Sequence, residues 1–172
     1  QDEVIRALDN CRQAGKLRVA AYSGDNAELS AAIADARFGA IQTSISLCDQ
    51  VNLAQRLHHA ATRGMGVIAK RPIAGAIWRH GQRPEDHAEG QYWDRWQAMG
   101  FNTRLPEAER TELALRFTAH LPGESSSIVG TGKLANFRQN LALVEKGPLP
   151  AAQQAMLRQA FVEHQQEWPG LI

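Results

Sequence analysis

Apolar positions along the chain fall into two rhythms that alternate from one end to the other. Val4, Ile5, Leu8 and Cys11 recur at helical spacing, which predicts a helix over Asp2–Ala14 with Asp2 as its cap and Gly15 as its stop. Leu17–Tyr22 is short and densely apolar and reads as a buried strand. The turn Ser23-Gly24-Asp25-Asn26 leads into a helix through about Arg37. A strand follows near Ala40–Ile45, then a helix from about Asn52 to Arg63, closed by Gly64. Met65–Lys70 is the third strand. After an irregular stretch, Glu107–His120 is predicted helical and Ser126–Val129 is the fourth strand. Leu134, Phe137, Leu141 and Val144 then return to helical spacing, and Pro150 suits the first turn of a last helix reaching about Gln166.

Four short apolar strands, each followed by a helix, call for a parallel sheet with right-handed crossovers. Residues 1–172 read as a single domain. Segment 74–106 breaks the rhythm, with Trp78, Tyr92, Trp93 and Trp96 among many polar residues, and reads as a long loop or lid insertion. In parallel architectures ligands gather where strands end and loops begin. Tyr22–Asn26, Ser44–Asp49, Lys70–Ile73 and Gly130–Lys133 lie at such places, and all hold small, polar or basic residues.

Two of these loops carry candidate chemistry. Lys70-Arg71-Pro72 puts two cations at the mouth of a buried strand, where they need an anion or solvent. Gly130-Thr131-Gly132-Lys133 joins a β-branched strand to a helix start, whose free N–H groups and positive dipole end suit a phosphate. A nucleotide cofactor is the first expectation. An ATP-binding Walker loop does not fit, because Ser127 stands where its first glycine belongs and Leu134 where its hydroxyl belongs.

Composition narrows the class. The chain has 172 residues, 44% of them hydrophobic, enough for one core. A net charge of +1 with interspersed signs implies neither nucleic acid nor a membrane surface as partner. No apolar run approaches the ~18 residues of a membrane span. Two cysteines in unlike contexts, Cys11 and Cys48, fit a reducing cytoplasm, and the polar start Gln1-Asp2-Glu3 does not read as a secretory signal. A chain that opens on Gln1 with helical pattern almost at once leads to the expectation of further sequence upstream.

The order of segments resembles the C-terminal half of an aldo-keto reductase, an α/β protein built as a (β/α)8 TIM barrel that uses NADPH or NADH. The resemblance rests on Ala14-Gly15-Lys16-Leu17-Arg18 with Ala20-Ala21-Tyr22-Ser23, on Phe38-Gly39-Ala40-Ile41-Gln42, and on Gly64-Met65-Gly66-Val67-Ile68-Ala69-Lys70-Arg71-Pro72-Ile73. Leu113-Ala114-Leu115-Arg116-Phe117 and Ser126–Asn140 complete it, so nearly the whole chain is covered. The implied cofactor is NADPH, with NADH as the alternative. By resemblance Ser23 and Gln42 would meet the nicotinamide carboxamide, and Lys70 stands where many members place a tyrosine that stacks on the ring. Arg71, Pro72 and Ile73 match the loop beside the pyrophosphate, and Gly130, Thr131, Gly132 and Lys133 the loop around the adenosine phosphate. Asn136 lies near the 2′-phosphate position, while Gln139 and Asn140 match a Glu-Asn pair that touches adenine.

Departures from the family pattern are specific. Gly24 follows the serine where members often have asparagine. Lys70 cannot stack as an aromatic does. The Asp, Tyr, Lys and His tetrad that reduces a carbonyl belongs to the first half of the barrel, ahead of the position matching Gln1, so no catalytic residue is assigned in this chain. The resemblance therefore implies the cofactor-binding half of a reductase of aldehydes or ketones, completed by an N-terminal half in the same or another chain. A non-catalytic dinucleotide-binding or interaction module of the same fold is the alternative.

Other chemistries find little support. His58 and His59 are adjacent on a predicted helix and so cannot form a ligand pair, and His80, Asp86 and His87 lack closing ligands. No Gly-x-Ser-x-Gly elbow marks a serine hydrolase, and nothing marks a base for Cys48.

Overall fold

The computed structural model describes residues 2–165 and 168–171. Its centre is a four-stranded, wholly parallel sheet in chain order: β1 (Ala21–Ser23), β2 (Ala40–Ser44), β3 (Gly66–Lys70) and β4 (Ser126–Ile128). Side chains alternate across it. Ile41, Thr43, Val67 and Ala69 are fully buried under the helices, whereas Ser23, Gln42, Ile68 and Ser126 share one level of the opposite, more open face.

Helices α1 (Asp2–Gln13), α2 (Asn26–Ala34), α3 (His58–Thr62), α6 (Arg110–Ala119), α7 (Leu134–Glu145) and α8 (Ala151–Val162) accompany the strands. Leu29 and Ile33 of α2, Leu113 and Phe117 of α6, and Leu157 and Phe161 of α8 enter one core. Among the described residues, no helix is long and apolar enough to cross a membrane.

Three local expectations need correction. Residues 17–20 do not join a buried strand. β1 is an edge strand of three residues with Ala21 and Ser23 exposed, since backbone pairing is available only on the β2 side. The helix expected from Asn52 begins instead as a π-helical turn, Leu53–Leu57, in which the Leu57 N–H reaches the Asn52 carbonyl. The Asn52 side chain is held inward there by Asp25 and Thr43.

Segment 74–106 is also far from irregular. It holds a 3-10 stretch, Ala74–Arg79, then α4 (His87–Ala98) and α5 (Phe101–Arg104). The Asp86 carboxylate caps α4 by accepting from the Glu89 N–H. Trp96 is completely buried, with Trp78 and Phe101 rings each 5.1 Å away and the Arg110 guanidinium over its face. The aromatic residues that broke the sequence rhythm thus anchor the segment to the core.

Residues 168–171 fold back across the strand ends. The backbone of Gly170 exchanges two hydrogen bonds with the Asn26 side chain, at 2.8 and 3.0 Å. The Leu171 N–H donates to Asp49, its carbonyl accepts from the Ser44 hydroxyl, and Arg95 donates to the Pro169 carbonyl. Trp168 lies under the Arg95 guanidinium and edge-on to Phe161. Every backbone polar group from the Pro169 carbonyl to the Leu171 carbonyl therefore has a side-chain partner.

Apolar surface remains at both sheet margins. Leu134, Phe137 and Leu141 of α7 are half exposed or more, and Phe137 and Leu141, with Leu115, Ala119 and Val144, flank an open cleft of about 580 Å³ beside β4. Val4 is 63% exposed near Tyr22 and Phe38, beside β1.

Two outcomes follow for the intact protein. Trp96→Ala should lower stability by about 3–5 kcal/mol in urea unfolding, since it empties a fully packed site. A neutral result would contradict the packing of α4. At Gly170 a Cβ would sit 2.8 Å from Asn26 Oδ1, so Gly170→Ala should undock the tail. Faster amide exchange at Gly170 and Leu171, with little change in global stability, is the expected reading.

Candidate functional site

The site grows from the ends of the four strands. Ser23 and Gln42 are register partners, and the Gln42 side-chain amide donates to the Ser23 hydroxyl at 3.3 Å. That leaves the Gln42 amide oxygen and the Ser23 hydroxyl proton without a partner among the described residues. Gly24 follows because of its neighbour: a Cβ there would lie 2.6 Å from the Tyr22 ring. A larger residue there would require that ring to move.

Lys70 pairs in register with Ser44, two residues beyond Gln42 on the same face. Its ammonium does not point to solvent but meets Asp25 Oδ2 at 2.9 Å. Asp25 is buried, and its other oxygen accepts from the Thr43 hydroxyl (2.6 Å), the Ser44 N–H (2.9 Å) and the Asn52 amide (3.2 Å). Asp25 stands at the N-cap of α2 without capping it, because its carboxylate is turned inward to this network.

Arg71 adopts a left-handed backbone, φ 57°, and its guanidinium reaches the Ser44 hydroxyl and the Leu171 carbonyl at 3.3 and 3.4 Å. Ala74, Gly75 and Ala76 also have positive φ, so the chain after β3 coils tightly. The small residues there, and Gly75 above all, permit that coil.

A trough runs from this coil to the start of α7. Lys70, Arg71, Pro72 and Ile73 form one wall of a cleft of about 470 Å³, with Val129 and Gly130 opposite. It continues into a smaller hollow of about 100 Å³ lined by Ile73, Gly130, Thr131, Asn136, Gln139 and Asn140. Arg79 borders both parts, is exposed, and has no partner among the described residues. Gly132 and Lys133 lie just outside the trough, exposed. At the helix start the Lys133 N–H donates to Thr131 Oγ1, and the next three amides, of Leu134, Ala135 and Asn136, are free of helix partners. A Cβ on Gly130 or Gly132 would meet nothing within 4 Å, so bare backbone faces open space there.

Asp25 and Arg79 were not singled out in the sequence. Asp25 stood within the turn that leads into α2, and Arg79 was one cation in a polar stretch. Their roles depend on contacts made far along the chain.

Nearby groups that resemble reactive ones are buried. Burial pushes the Cys48 thiol far above its ordinary range. The Tyr92 hydroxyl is likewise raised by burial, with the Ser44 side chain opposing the shift. Asp49 is pushed up to about 7 by burial, against the opposing pull of the Leu171 N–H and of Arg95 at 3.7 Å. Among the described residues, no three His, Cys, Asp or Glu side chains gather as a metal site would require.

Comparisons with known proteins bear on this arrangement. Among curated proteins no relative matches by sequence. Among solved structures, aldo-keto reductase AKR11C1 from Bacillus halodurans superposes in its apo form with a TM-score of 0.75 and in its holo form with 0.76. Each is 18% identical and matches 92% of this chain, but only 56% and 55% of the respective solved chains, so the chain spans little more than half their length. That likeness establishes the fold: a parallel α/β sheet corresponding to part of a (β/α)8 barrel. The aldo/keto reductase family model aligns with residues 1–161, and the chain belongs to that family.

Proposed function

We propose that this chain is the cofactor-binding half of an NAD(P)H-dependent aldo-keto reductase that reduces an aldehyde or ketone. A nicotinamide dinucleotide presents a carboxamide at one end and phosphates along its middle. The donor set fits both. Ser23 and Gln42 offer a hydroxyl proton and an amide oxygen on the open face, while Arg71, Arg79 and the free amides at the α7 start border one trough. That continuity, from Lys70 through Ile73 to Gly130 and Asn136, is the observation that carries the reading.

When bound, the cofactor would supply the hydride. This chain's residues would hold it: Ser23 and Gln42 at the carboxamide, Lys70 beside the ring, Arg71, Pro72 and Ile73 along the pyrophosphate. Gly130, Thr131, Gly132 and Lys133 would surround the adenosine phosphate, with Asn136, Gln139 and Asn140 toward the adenosine. Arg79, unpaired at the join of the two hollows, is added to this set as a phosphate partner. NADPH is the proposed cofactor and NADH the alternative. The acid that protonates the carbonyl oxygen is assigned to the N-terminal half of the barrel, which would also cover the apolar margins beside β1 and β4.

Carbonyl-dependent oxidation of NADPH by the intact protein tests the activity. Turnover with a panel of aldehydes and ketones is expected; dinucleotide binding without turnover of any carbonyl would favour a non-catalytic binding module. Arg79→Ala should weaken dinucleotide binding about tenfold, the loss of roughly one charge-assisted contact. Unchanged affinity would remove Arg79 from the site.

A further inference from the structure

The Asp25–Lys70 pair sits at the nicotinamide end of the proposed site, and its geometry has an electrostatic consequence. Lys70 leaves the end of β3, and Asp25 follows the end of β1, so the lysine side chain spans the end of β2 between them. It does so on the face that carries Ser23 and Gln42. Three donors fix one oxygen of Asp25, which leaves the other turned to the ammonium. The neighbouring charges are engaged elsewhere. Arg71 is turned to Ser44 and Leu171, and Asp49 to Leu171 and Arg95.

A reduced nicotinamide ring is neutral, whereas the oxidised ring carries one positive charge. A bare ammonium beside it would penalise the oxidised form, and a bare carboxylate would favour it. We propose that Asp25 is a positioning residue that holds and neutralises Lys70, and that this pair sets the relative affinity of the site for oxidised and reduced nicotinamide. The proposal rests on the dinucleotide reading above. It gives the lysine a defined role where an aromatic residue is absent: its aliphatic stem faces the ring position while its charge is cancelled from behind.

The test is equilibrium binding of NADP+ and NADPH, measured separately, to the intact protein and three variants. Asp25→Asn leaves Lys70 charged, and should shift the ratio of affinities toward NADPH by at least roughly tenfold. Lys70→Met keeps the stem but leaves the Asp25 carboxylate with its three hydrogen-bond donors and without its countercharge, and should shift the ratio toward NADP+. The double variant should restore the ratio to within about threefold of the original. Equal losses for both forms in Asp25→Asn, with an unmoved ratio in Lys70→Met, would overturn the proposal and leave Asp25 a purely structural group. Should Asp25→Asn fail to fold by circular dichroism, the direction of the Lys70→Met shift decides alone. If the unmodified protein binds neither form, the dinucleotide reading falls and takes this inference with it.

Discussion

A carboxylate sealed from water has to be satisfied by the protein itself, and Asp25 meets that demand by drawing four groups from three places. Thr43 and the Ser44 N–H come from β2, Asn52 from the start of the π-helical turn, and Lys70 from the end of β3. Because breaking any one contact would leave buried charge exposed to an apolar surrounding, the strand ends are held in one arrangement. The level of Ser23 and Gln42, the turn at Gly24 and the course of Lys70 all depend on it. The tail is fixed from the same place, since Ser44 donates its hydroxyl to Leu171 and Asn26 follows Asp25 directly.

The two faces of the sheet divide the work. Ile41, Val67 and Ala69 are packed against helices and give the strands their stability, while Ser23, Gln42 and Ser126 place polar side chains on the more open face. Helix α4 extends the covered side through Trp96 and delivers Arg95 over the Trp168 ring. The apolar stripe of α7, Leu134, Phe137 and Leu141, faces outward instead, beside the free edge of β4. Such a surface is consistent with the chain matching little more than half of the solved barrels it resembles.

Much of this was legible in the sequence because it is written in local period. β2 and β3 were visible as short apolar runs, α1 as a helical stripe ended by Gly15, and α8 as a helix opening at Pro150. Ser23, Gln42 and the Gly130 loop could be placed through the family resemblance, and the structure puts Ser23 in contact with Gln42 and Gly130 on the trough. What escaped were features fixed by distant partners. Nothing local says that Asp25 will bind Lys70 instead of capping α2, or that Asn52 will start its helix in π register. The aromatic-rich segment looked irregular because Trp78, Trp96 and Phe101 obey the packing of one cluster and not the period of one helix. Leu17–Ala20 looked like a strand because apolar content is local, whereas pairing at a sheet edge is not.

The central proposal is that the Ser23–Gln42 pair, residues 70–76 and residues 130–136 together hold a nicotinamide dinucleotide. Amide hydrogen exchange of the intact protein with and without NADPH tests it most directly. The account predicts slowed exchange at residues 70–76 and at the start of α7, with slowing at the ends of β1 and β2. No protection on adding NADPH, or protection confined to the apolar flank around Phe137, would contradict it.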